Sequence, residues 1–412
     1  MIHRTDRTTF LVSATLLLLG VTGVVTGQEP PTADQPRVLI DRELTSRSIR
    51  LVSMSDEAVQ VRDEFGRPLS ISRRDVLAIV PPPVGLDTQR RRETAQRLES
   101  GWLRTVDGQV LPGTLAGGDG EQLEWDSRLW SKIRVRLDEV ESLVLKSNAS
   151  AEVVRIGSPA DVVLLVNGDR IEGYVSAVRD SVRIDSQGKA IDVPIDRVTS
   201  VEFANVVSPA SGARVWTYDG TIAAVDTVRV RAGGVADLVS TLRGESGGVA
   251  TNIPASDVRA VSLDTSRLRA LASLEAHLVE GSSIRRWTPP PAIGNTRTAP
   301  LSAADIEIPG PMRVQWNLPA GARRLATIAE LPIDARLYGD CEIVVSVVTG
   351  DAPAREIARE RLHAQRASVD LNLVLHATGT PAGTALRIDL LAGEGGAIQD
   401  RVVLRRPLFL VE

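Results

Sequence analysis

The chain contains one segment with the spacing of a nucleophile loop, GESGG at Gly244–Gly248, which matches the pattern G-x-S-x-G. In hydrolases this pattern places a serine on a sharp turn, where a histidine and a carboxylate activate its hydroxyl. Here the segment lies between the strand-like runs LVSTL and VATNIP, where glycine-rich text is typical of a hairpin. His277, His363 and His376 stand in no recognised catalytic motif. The sequence therefore does not predict catalysis by Ser246.

Metal and cofactor chemistry has equally little support in the residue types. The chain has four histidines and one cysteine, and no H-E-x-x-H or C-x-x-C spacing. Transition-metal sites need several such ligands at short spacing. Neither a P-loop nor a G-x-G-x-x-G pattern occurs, and carboxylates such as Asp107 are explained by turn chemistry. We expect no catalytic, cofactor-binding or metal-binding residues, and hence a protein that is not an enzyme.

Cys341 is the only cysteine, so the chain has no internal disulfide and each domain must be stabilised by its core. Its surroundings read GDCEIVVSVV. A free cysteine in apolar text usually behaves as a small hydrophobic residue. We expect Cys341 to be a buried strand residue rather than a reactive thiol.

The N-terminus has the three regions of a signal peptide. Three basic side chains in MIHRTDRTTF precede an apolar stretch at 10–25, which is shorter than the ~20 residues of a spanning helix. Val25 and Gly27 are small residues placed for cleavage before Gln28. We predict a signal peptide over 1–27 and export to the periplasm, the cell surface or the medium, with no stable membrane span after cleavage. An uncleaved anchor is the alternative.

The length of the chain indicates several domains, and its net charge bears on which classes of partner it can bind. A chain of 412 residues exceeds one domain, and a Pro-rich linker is predicted over 28–37. The formal charge is −4, and removal of 1–27, with two arginines and one aspartate, leaves −5. A mildly acidic exported protein is a poor electrostatic match for nucleic acid, so no nucleic-acid partner is expected.

One eleven-residue motif occurs four times along the chain. The copies are ISRRDVLAIVP from Ile71, VRLDEVESLVL from Val135, VPIDRVTSVEF from Val193 and IPASDVRAVSL from Ile253. The sixth position is always valine: Val76, Val140, Val198 and Val258, spaced 64, 58 and 60 residues apart. The ninth position is always aliphatic: Ile79, Leu143, Val201 and Val261. Self-similarity at a nearly fixed period indicates four copies of one structural unit.

Each unit has the sequence pattern of short antiparallel strands. Asp107-Gly108, Asn167-Gly168 and Asp219-Gly220 are dipeptides that favour tight hairpin turns. In DSVRID, Val182 and Ile184 alternate with polar residues, a period of two that predicts a strand. We expect the valines at the sixth motif position to be buried equivalently.

The units resemble small SH3-like or Sm-like barrels, whose sequences run G-x-x-φ-x-G-x-φ and end φ-P-x-x-x-φ-x-x-φ. The match is best over 165–203. It implies tandem small barrels at 38–83, 101–147, 159–205 and 212–263. RNA binding does not follow, because no paired aromatic and basic positions are found.

Two segments between these units have helix signals. A linker helix is predicted within 84–100, where Asp87 precedes QRRRETAQRLES. A second helix or linker is predicted over 264–283, with Asp264 as the N-cap and three leucines on one face. Both are interpreted as linkers packed on neighbouring barrels.

In the C-terminal part, 284–412, apolar and polar residues alternate along several segments, as in ASVDLNLVLHAT and TALRIDLLAG. Several such strands predict an antiparallel sandwich. The order of its segments resembles the NPCBM family of carbohydrate-binding modules, which have a galactose-binding-like jelly roll. The segments that carry the resemblance are IGNTRTAPL (293–301), MRVQWNLPAGARRLATIAELPID (312–334), CEIVVSVVTGD (341–351), VDLNLVLHATG (369–379) and ALRIDLLAGEGGAIQDRVVLRRPLFLV (385–411).

Two departures from the family pattern weaken the implied sugar site. The Gly-x-His segment is replaced by IPGPMRVQW, and the closing Asp-x-Ala-x-Trp by QDRVVLRRP, in which only Asp400 matches. Trp316 occupies the place of the family's strand aromatic and is interpreted as a core residue, with a sugar-stacking platform as the alternative. Trp316 and Asp400 are the candidate ligand-binding residues, and any saccharide binding is expected to be weak.

Together these observations predict a mainly β, exported, non-catalytic, multidomain protein. Its small β-barrel repeats would precede a jelly-roll sandwich that binds a saccharide or another component of the cell envelope. One alternative is a structural or assembly protein whose repeats bind protein partners. Another is a degenerate accessory of a hydrolase.

Overall fold

The protein is mainly β, as predicted. The computed structural model describes residues 35–83, 101–145, 159–244, 247–281, 287–350, 352–396 and 399–411. In those ranges the regular structure consists of 31 strands and of 3-10 helices of three residues each. No helix in the described ranges has the length and hydropathy needed to cross a bilayer. The predicted signal peptide and the linker helix at 84–100 lie outside the described residues.

The N-terminal part of the described chain, 36–262, forms four repeats of five strands each. Repeat one contains β1 (Pro36–Asp41), β2 (Ser46–Met54), β3 (Ala58–Arg62), β4 (Pro68–Ser72) and β5 (Val76–Val80). Repeat two contains β6 (Gly101–Thr105), β7 (Val110–Gly118), β8 (Gln122–Ser127), β9 (Ser131–Arg136) and β10 (Val140–Val144). Repeat three contains β11 (Asp161–Leu165), β12 (Arg170–Val178), β13 (Ser181–Ser186), β14 (Lys189–Pro194) and β15 (Val198–Glu202). Repeat four contains β16 (Ala213–Thr217), β17 (Ile222–Arg231), β18 (Val235–Gly244), β19 (Gly247–Pro254) and β20 (Val258–Ser262).

All four repeats share one strand order. In repeat one β5 pairs with β1, β1 with β2, β2 with β3, and β3 with β4, and the other three repeats repeat these pairings. Among the described residues no ladder joins the fourth strand of a repeat to its last strand. The pairings therefore give each repeat as a five-stranded antiparallel sheet, and the SH3-like or Sm-like assignment stays a prediction.

The local signals read from the repeats are confirmed. The glycines of the three predicted hairpin turns, Gly108, Gly168 and Gly220, have φ of 83°, 89° and 91°. These left-handed values favour glycine over residues with a Cβ. The valines at the sixth motif position open the last strand of every repeat, and all four are buried: Val76, Val140, Val198 and Val258. In repeats one to three a 3-10 helix precedes that strand: Arg73–Asp75, Leu137–Glu139 and Ile195–Arg197.

The repeats associate in two pairs through their last strands. β10 of repeat two pairs antiparallel with β15 of repeat three, and β20 of repeat four pairs antiparallel with β5 of repeat one. β17 of repeat four also bridges to β2 and to β7. The first and last repeats are therefore neighbours, and one apolar core runs through all four.

The C-terminal part, 268–411, is a sandwich of two antiparallel sheets. Its strands are β21 (Leu268–Ala270), β22 (Ala276–Glu280), β23 (Ala292–Ile293), β24 (Ile306–Pro309), β25 (Met312–Asn317), β26 (Ala322–Glu330), β27 (Cys341–Thr349), β28 (Arg355–Leu362), β29 (Ser368–Val374), β30 (Thr384–Ala392) and β31 (Arg401–Val411). One sheet has the order β23-β24-β31-β26-β29, with β21 also paired to β31, and the other has the order β22-β25-β30-β27-β28. The predicted antiparallel sandwich is thus confirmed, and its own apolar core fills the space between the sheets.

The helix predicted within 264–283 is wrong. Leu268 lies opposite Leu410 in β31, and Ala276 lies opposite Trp316 in β25, so this segment supplies two strands to the sandwich. Asp264 is no helix cap, because a turn and then β21 follow it; its carboxylate accepts the backbone N–H of Ser266 within that turn. Helix propensity is a weak preference, and the hydrogen bonds offered by two open sheet edges outweigh it.

A separate apolar cluster joins the sandwich to repeats one and four. It includes Leu77 of β5, Trp216 of β16, and Leu408 of β31, all buried. Polar contacts flank it: Arg406 Nη2 donates to the carbonyl of Pro81 at 2.9 Å. A large hydrophobic contact of this kind restrains the motion of one domain against another.

Candidate ligand-binding cleft

The two residues that the sequence offered as ligand contacts lie in the interior. The Trp316 side chain is 0% exposed in the sandwich core, where its strand is flanked by Ala276 and Leu386. Asp400 is also 0% exposed, and its carbonyl accepts the N–H of Gly310 at 2.6 Å. Neither side chain presents a surface to a ligand in this conformation.

Cys341 is buried in β27, which confirms that it is a buried strand residue. Burial, followed by the nearby carboxylates of Asp400 and Asp340, raises the pKa of its thiol to about 12. The thiol therefore stays protonated at neutral pH and is a poor nucleophile. Ser246 lies outside the described residues. No group of three or more His, Cys, Asp or Glu side chains in the described ranges is arranged to hold a metal ion.

A cleft of about 160 Å³ opens at one end of the sandwich, where β27 ends and β28 and β30 begin. The end of β29, which belongs to the other sheet, closes its far side. We call this site the end cleft. Its lining residues are Val347, Thr349, Ala352, Pro353, Arg355, Leu375, His376, Thr380, Pro381 and Thr384.

The floor of the end cleft is apolar and rigid. Val347 and Leu375 are buried members of the sandwich core. Thr380 and Thr384 are buried beside them. Thr380 donates its hydroxyl to the carbonyl of Pro319 at 3.2 Å, and the hydroxyls of Thr384 and Thr349 lie 3.5 Å apart. These bonds hold the loop that precedes β30 against the body of the sandwich.

The rim of the end cleft carries hydrogen-bond donors. Arg355 opens β28, and its Nη2 donates to the carbonyl of Leu375 at 2.6 Å, which bridges the two sheets. His376 follows Leu375 and is exposed. Its Nδ1 accepts the backbone N–H of Thr378 at 3.4 Å. In the tautomer that matches this contact, Nε2 carries the proton and can donate it to a ligand. Two exposed prolines, Pro353 and Pro381, complete the walls.

These groups suit binding rather than a reaction. The described lining residues include no carboxylate, and no nucleophile in contact with an oriented base. What they offer is a buried apolar floor surrounded by hydroxyl, imidazole and guanidinium groups. Such a site can hold a small polar molecule by hydrogen bonds while its C–H surface contacts the floor.

Sequence reasoning missed Arg355 and noted His376 only as a histidine without a motif. One signal was present: HATGTPAGT (376–384) is a Thr-, Gly- and Pro-rich loop that directly follows an alternating strand. Loops at the end of a rigid scaffold are common places for binding residues. Arg355 gave no such signal, because its position beside this loop depends on how the two sheets pack.

A second surface feature is an apolar turn between β26 and β27, at 332–339. Ile333, Leu337 and Tyr338 are 81%, 72% and 65% exposed. A salt bridge of 2.6 Å joins Asp334 in this turn to Arg401, and that hydrogen bond lowers the pKa of the aspartate. Three large apolar side chains are therefore presented on an anchored turn.

Comparison with known proteins gives no family assignment. No protein-family model matches the sequence, and no curated protein matches it. Among solved structures, the tandem CBM51 modules of a family 98 glycoside hydrolase from Streptococcus pneumoniae SP3-BS71 match with 10% identity and a TM-score of 0.27, over 73% of this chain and 88% of that one. The CBM51-2 and INT domains of Clostridium perfringens ZmpB match with 10% identity and a TM-score of 0.26, over 43% of this chain.

A third match is CBM32-3 from a family 31 glycoside hydrolase of Clostridium perfringens, with 15% identity and a TM-score of 0.21, over 36% of this chain and 94% of that one. This chain spans 37% and 43% of the length of the two ZmpB structures that it matches. Identities and TM-scores this low do not assign a fold family or a ligand to the chain.

Proposed function

We propose that this protein is an exported binding protein without catalytic activity of its own, and that its C-terminal sandwich binds a saccharide in the end cleft. The observation that supports the proposal is the composition of that cleft. A sugar ring presents hydroxyls around its edge and C–H groups on its faces. The apolar floor at Val347 suits the faces, and the exposed hydroxyl of Thr349 suits the edge.

The size of the end cleft limits how much of a saccharide it holds. Its volume of about 160 Å³ is smaller than the roughly 300 Å³ at which ordinary ligand pockets begin. One ring therefore enters, and the rest of a longer chain stays outside. The described lining residues include no Trp, Tyr or Phe ring for stacking. We expect weak binding, with a dissociation constant on the order of 1 mM, or about −4 kcal/mol.

Calorimetric titration of the full chain with a panel of monosaccharides and short oligosaccharides tests the proposal. Thr349→Val removes an exposed hydroxyl from the end cleft at nearly constant shape, and binding should weaken. Thr114→Val, on an exposed position of β7, is the matched control and should bind like the wild type. Binding that is unchanged in Thr349→Val would place the site elsewhere, and failure of every saccharide to bind would overturn the function.

A second candidate function is the binding of a protein partner. It is favoured by the apolar turn, because large exposed apolar side chains grouped on one surface are typical of protein contacts. A second copy of the chain is the simplest partner to test. Sedimentation of the wild type and of a variant with Ile333→Ser and Leu337→Ser compares their self-association, and equal sedimentation at all concentrations would remove this partner.

The accessory of a hydrolase remains the third candidate. It rests on GESGG at Gly244–Gly248 alone. The test compares hydrolysis by the purified wild type with hydrolysis by Ser246→Ala. Equal hydrolysis by both would show that this serine takes no part in the reaction. Loss of hydrolysis in that variant would favour the accessory function over the binding function.

A further inference from the structure

The arginines of β28 differ in how their charge is compensated. The guanidinium of Arg359 donates to Glu342 at 2.6 Å and to Glu356 at 3.0 Å. Arg361 likewise has carboxylate partners on two residues. Arg355 has none among the described residues, although it lies on the same strand and is exposed.

Arg355 is nevertheless held in place. Its Nη2 donates to the carbonyl of Leu375, a buried residue at the end of the neighbouring sheet. That bond uses one N–H of Nη2. The other N–H of Nη2 and those of Nε and Nη1 are left without a described acceptor. A guanidinium fixed at one nitrogen and unused at the others is organised in advance to bind a further acceptor.

The surroundings of Arg355 strengthen its attraction for an anion. None of the described lining residues of the end cleft is acidic, and the floor beneath it is the apolar surface of Val347 and Leu375. Charges interact more strongly next to such a low-dielectric surface than in open water. His376 adds a second donor on the same rim, through Nε2.

Resting on the saccharide-binding function proposed above, we infer that the end cleft selects a sugar that carries a carboxylate, as in a uronic acid. The unused N–H donors of Arg355 bind the carboxylate, and His376 donates to one of its oxygens or to a neighbouring hydroxyl. The second N–H of Nη2 and one neighbouring N–H, on Nε or on Nη1, form a planar fork that matches a planar carboxylate with two parallel hydrogen bonds. The ring then lies over the apolar floor with its hydroxyls toward Thr349.

The ligand series isolates the charge. The full chain is titrated with D-glucuronate and D-galacturonate, with the methyl esters of the same two acids, and with glucose and galactose. A charge-assisted hydrogen bond is stronger than a neutral one. We expect each acid to bind about tenfold more tightly than its ester, with affinity that falls as salt is raised.

The variant series isolates the residues. Arg355→Gln should abolish the preference for the acid over the ester, and Arg355→Lys should keep part of it, since the charge remains without the planar fork. His376→Gln should weaken acid binding severalfold. Arg359→Gln, on the same strand with its charge already paired, should bind like the wild type.

Thermal melts of all variants show whether loss of the hydrogen bond to Leu375 has unfolded the sandwich. The His376 side chain does not link the two sheets, so His376→Gln tests the site independently of that bond.

The outcomes separate this inference from the function on which it rests. Equal binding of acids and esters, or an acid preference that survives both Arg355→Gln and His376→Gln, would overturn the carboxylate assignment while saccharide binding stands. Binding of no sugar, acidic or neutral, would overturn the saccharide-binding function itself.

Discussion

Leu143 of repeat two lies directly opposite Val201 of repeat three in an antiparallel pair of strands. Ile79 of repeat one lies opposite Val261 of repeat four in the same way. All four residues occupy the ninth position of the repeated motif. Pairing equivalent residues in antiparallel strands relates the two repeats of each pair by a local twofold axis. One motif thus specifies both the interior of a repeat and the contact between repeats.

The valine at the sixth motif position should be intolerant of charge. Val198→Asp places an unpaired carboxylate at a fully buried position, and we expect a loss of stability on the order of 4 kcal/mol. The matched control is Val166→Asp in an exposed turn of the same repeat, which should change stability by less than about 0.5 kcal/mol. Urea unfolding measures both. Similar midpoints for the two variants would show that Val198 does not occupy the buried position of its repeat.

The isolated sandwich should depend on the segment before residue 284. A fragment of residues 264–412 retains β21 and β22, whereas 284–412 exposes the edges of β31 and β25 that these strands cover. We expect both fragments to give β-type circular dichroism, and the longer one to melt cooperatively at the higher temperature. Equal melting temperatures would mean that the two strands add nothing to the sandwich.

Cys341 should resist thiol reagents in the native protein. Because its pKa is raised to about 12, the thiolate that reacts is scarce at every pH below that value, and the buried position blocks access. At about pH 8 we expect very slow labelling by a disulfide reagent, and rapid labelling of one thiol after denaturation. As the chain has one cysteine, the signal is unambiguous. Fast labelling without unfolding would contradict the burial of β27.

Trp316 tests the difference between a core residue and a sugar platform. Removal of a fully buried indole typically costs about 3–5 kcal/mol, so Trp316→Ala should lower the melting temperature of the sandwich strongly. Saccharide binding should be lost only together with the fold. If binding disappears while the melting temperature stays at the wild-type value, Trp316 contacts the saccharide. Its side chain would then have to leave the buried position when the saccharide binds.

Export is tested by the N-terminus of the mature protein. The apolar stretch at 10–25 is too short to span a bilayer and is followed by small residues, so cleavage should leave Gln28 as the first residue. N-terminal sequencing of protein from the periplasm or medium gives the answer. Recovery of the chain in membranes with Met1 or its near neighbours retained would favour the anchor.

Strands were predictable wherever a local rule was decisive. Alternation in DSVRID and the Asp-Gly and Asn-Gly turns depend on neighbouring residues, and both match the structure. Leu268, Leu271 and Leu274 have helical spacing, yet the segment forms two strands joined by a 3-10 helix of three residues at Leu271–Ser273. The reason is that the edges it covers belong to strands far along the chain. The end cleft was unpredictable for the same reason. Arg355 and His376 come together only through the packing of two sheets, which no local pattern encodes.

The apolar cluster of Leu77, Trp216 and Leu408 restricts the rotation of the sandwich relative to the repeats. Many binding modules have that rotational freedom because a flexible linker attaches them. A tethered module can search for a ligand in any orientation, and its linker sets an effective concentration. Here the direction in which the end cleft faces is set by the repeats. A polymer held at one terminal sugar would therefore leave the protein along a fixed line, and several copies aligned by their repeats would hold such polymers parallel to one another.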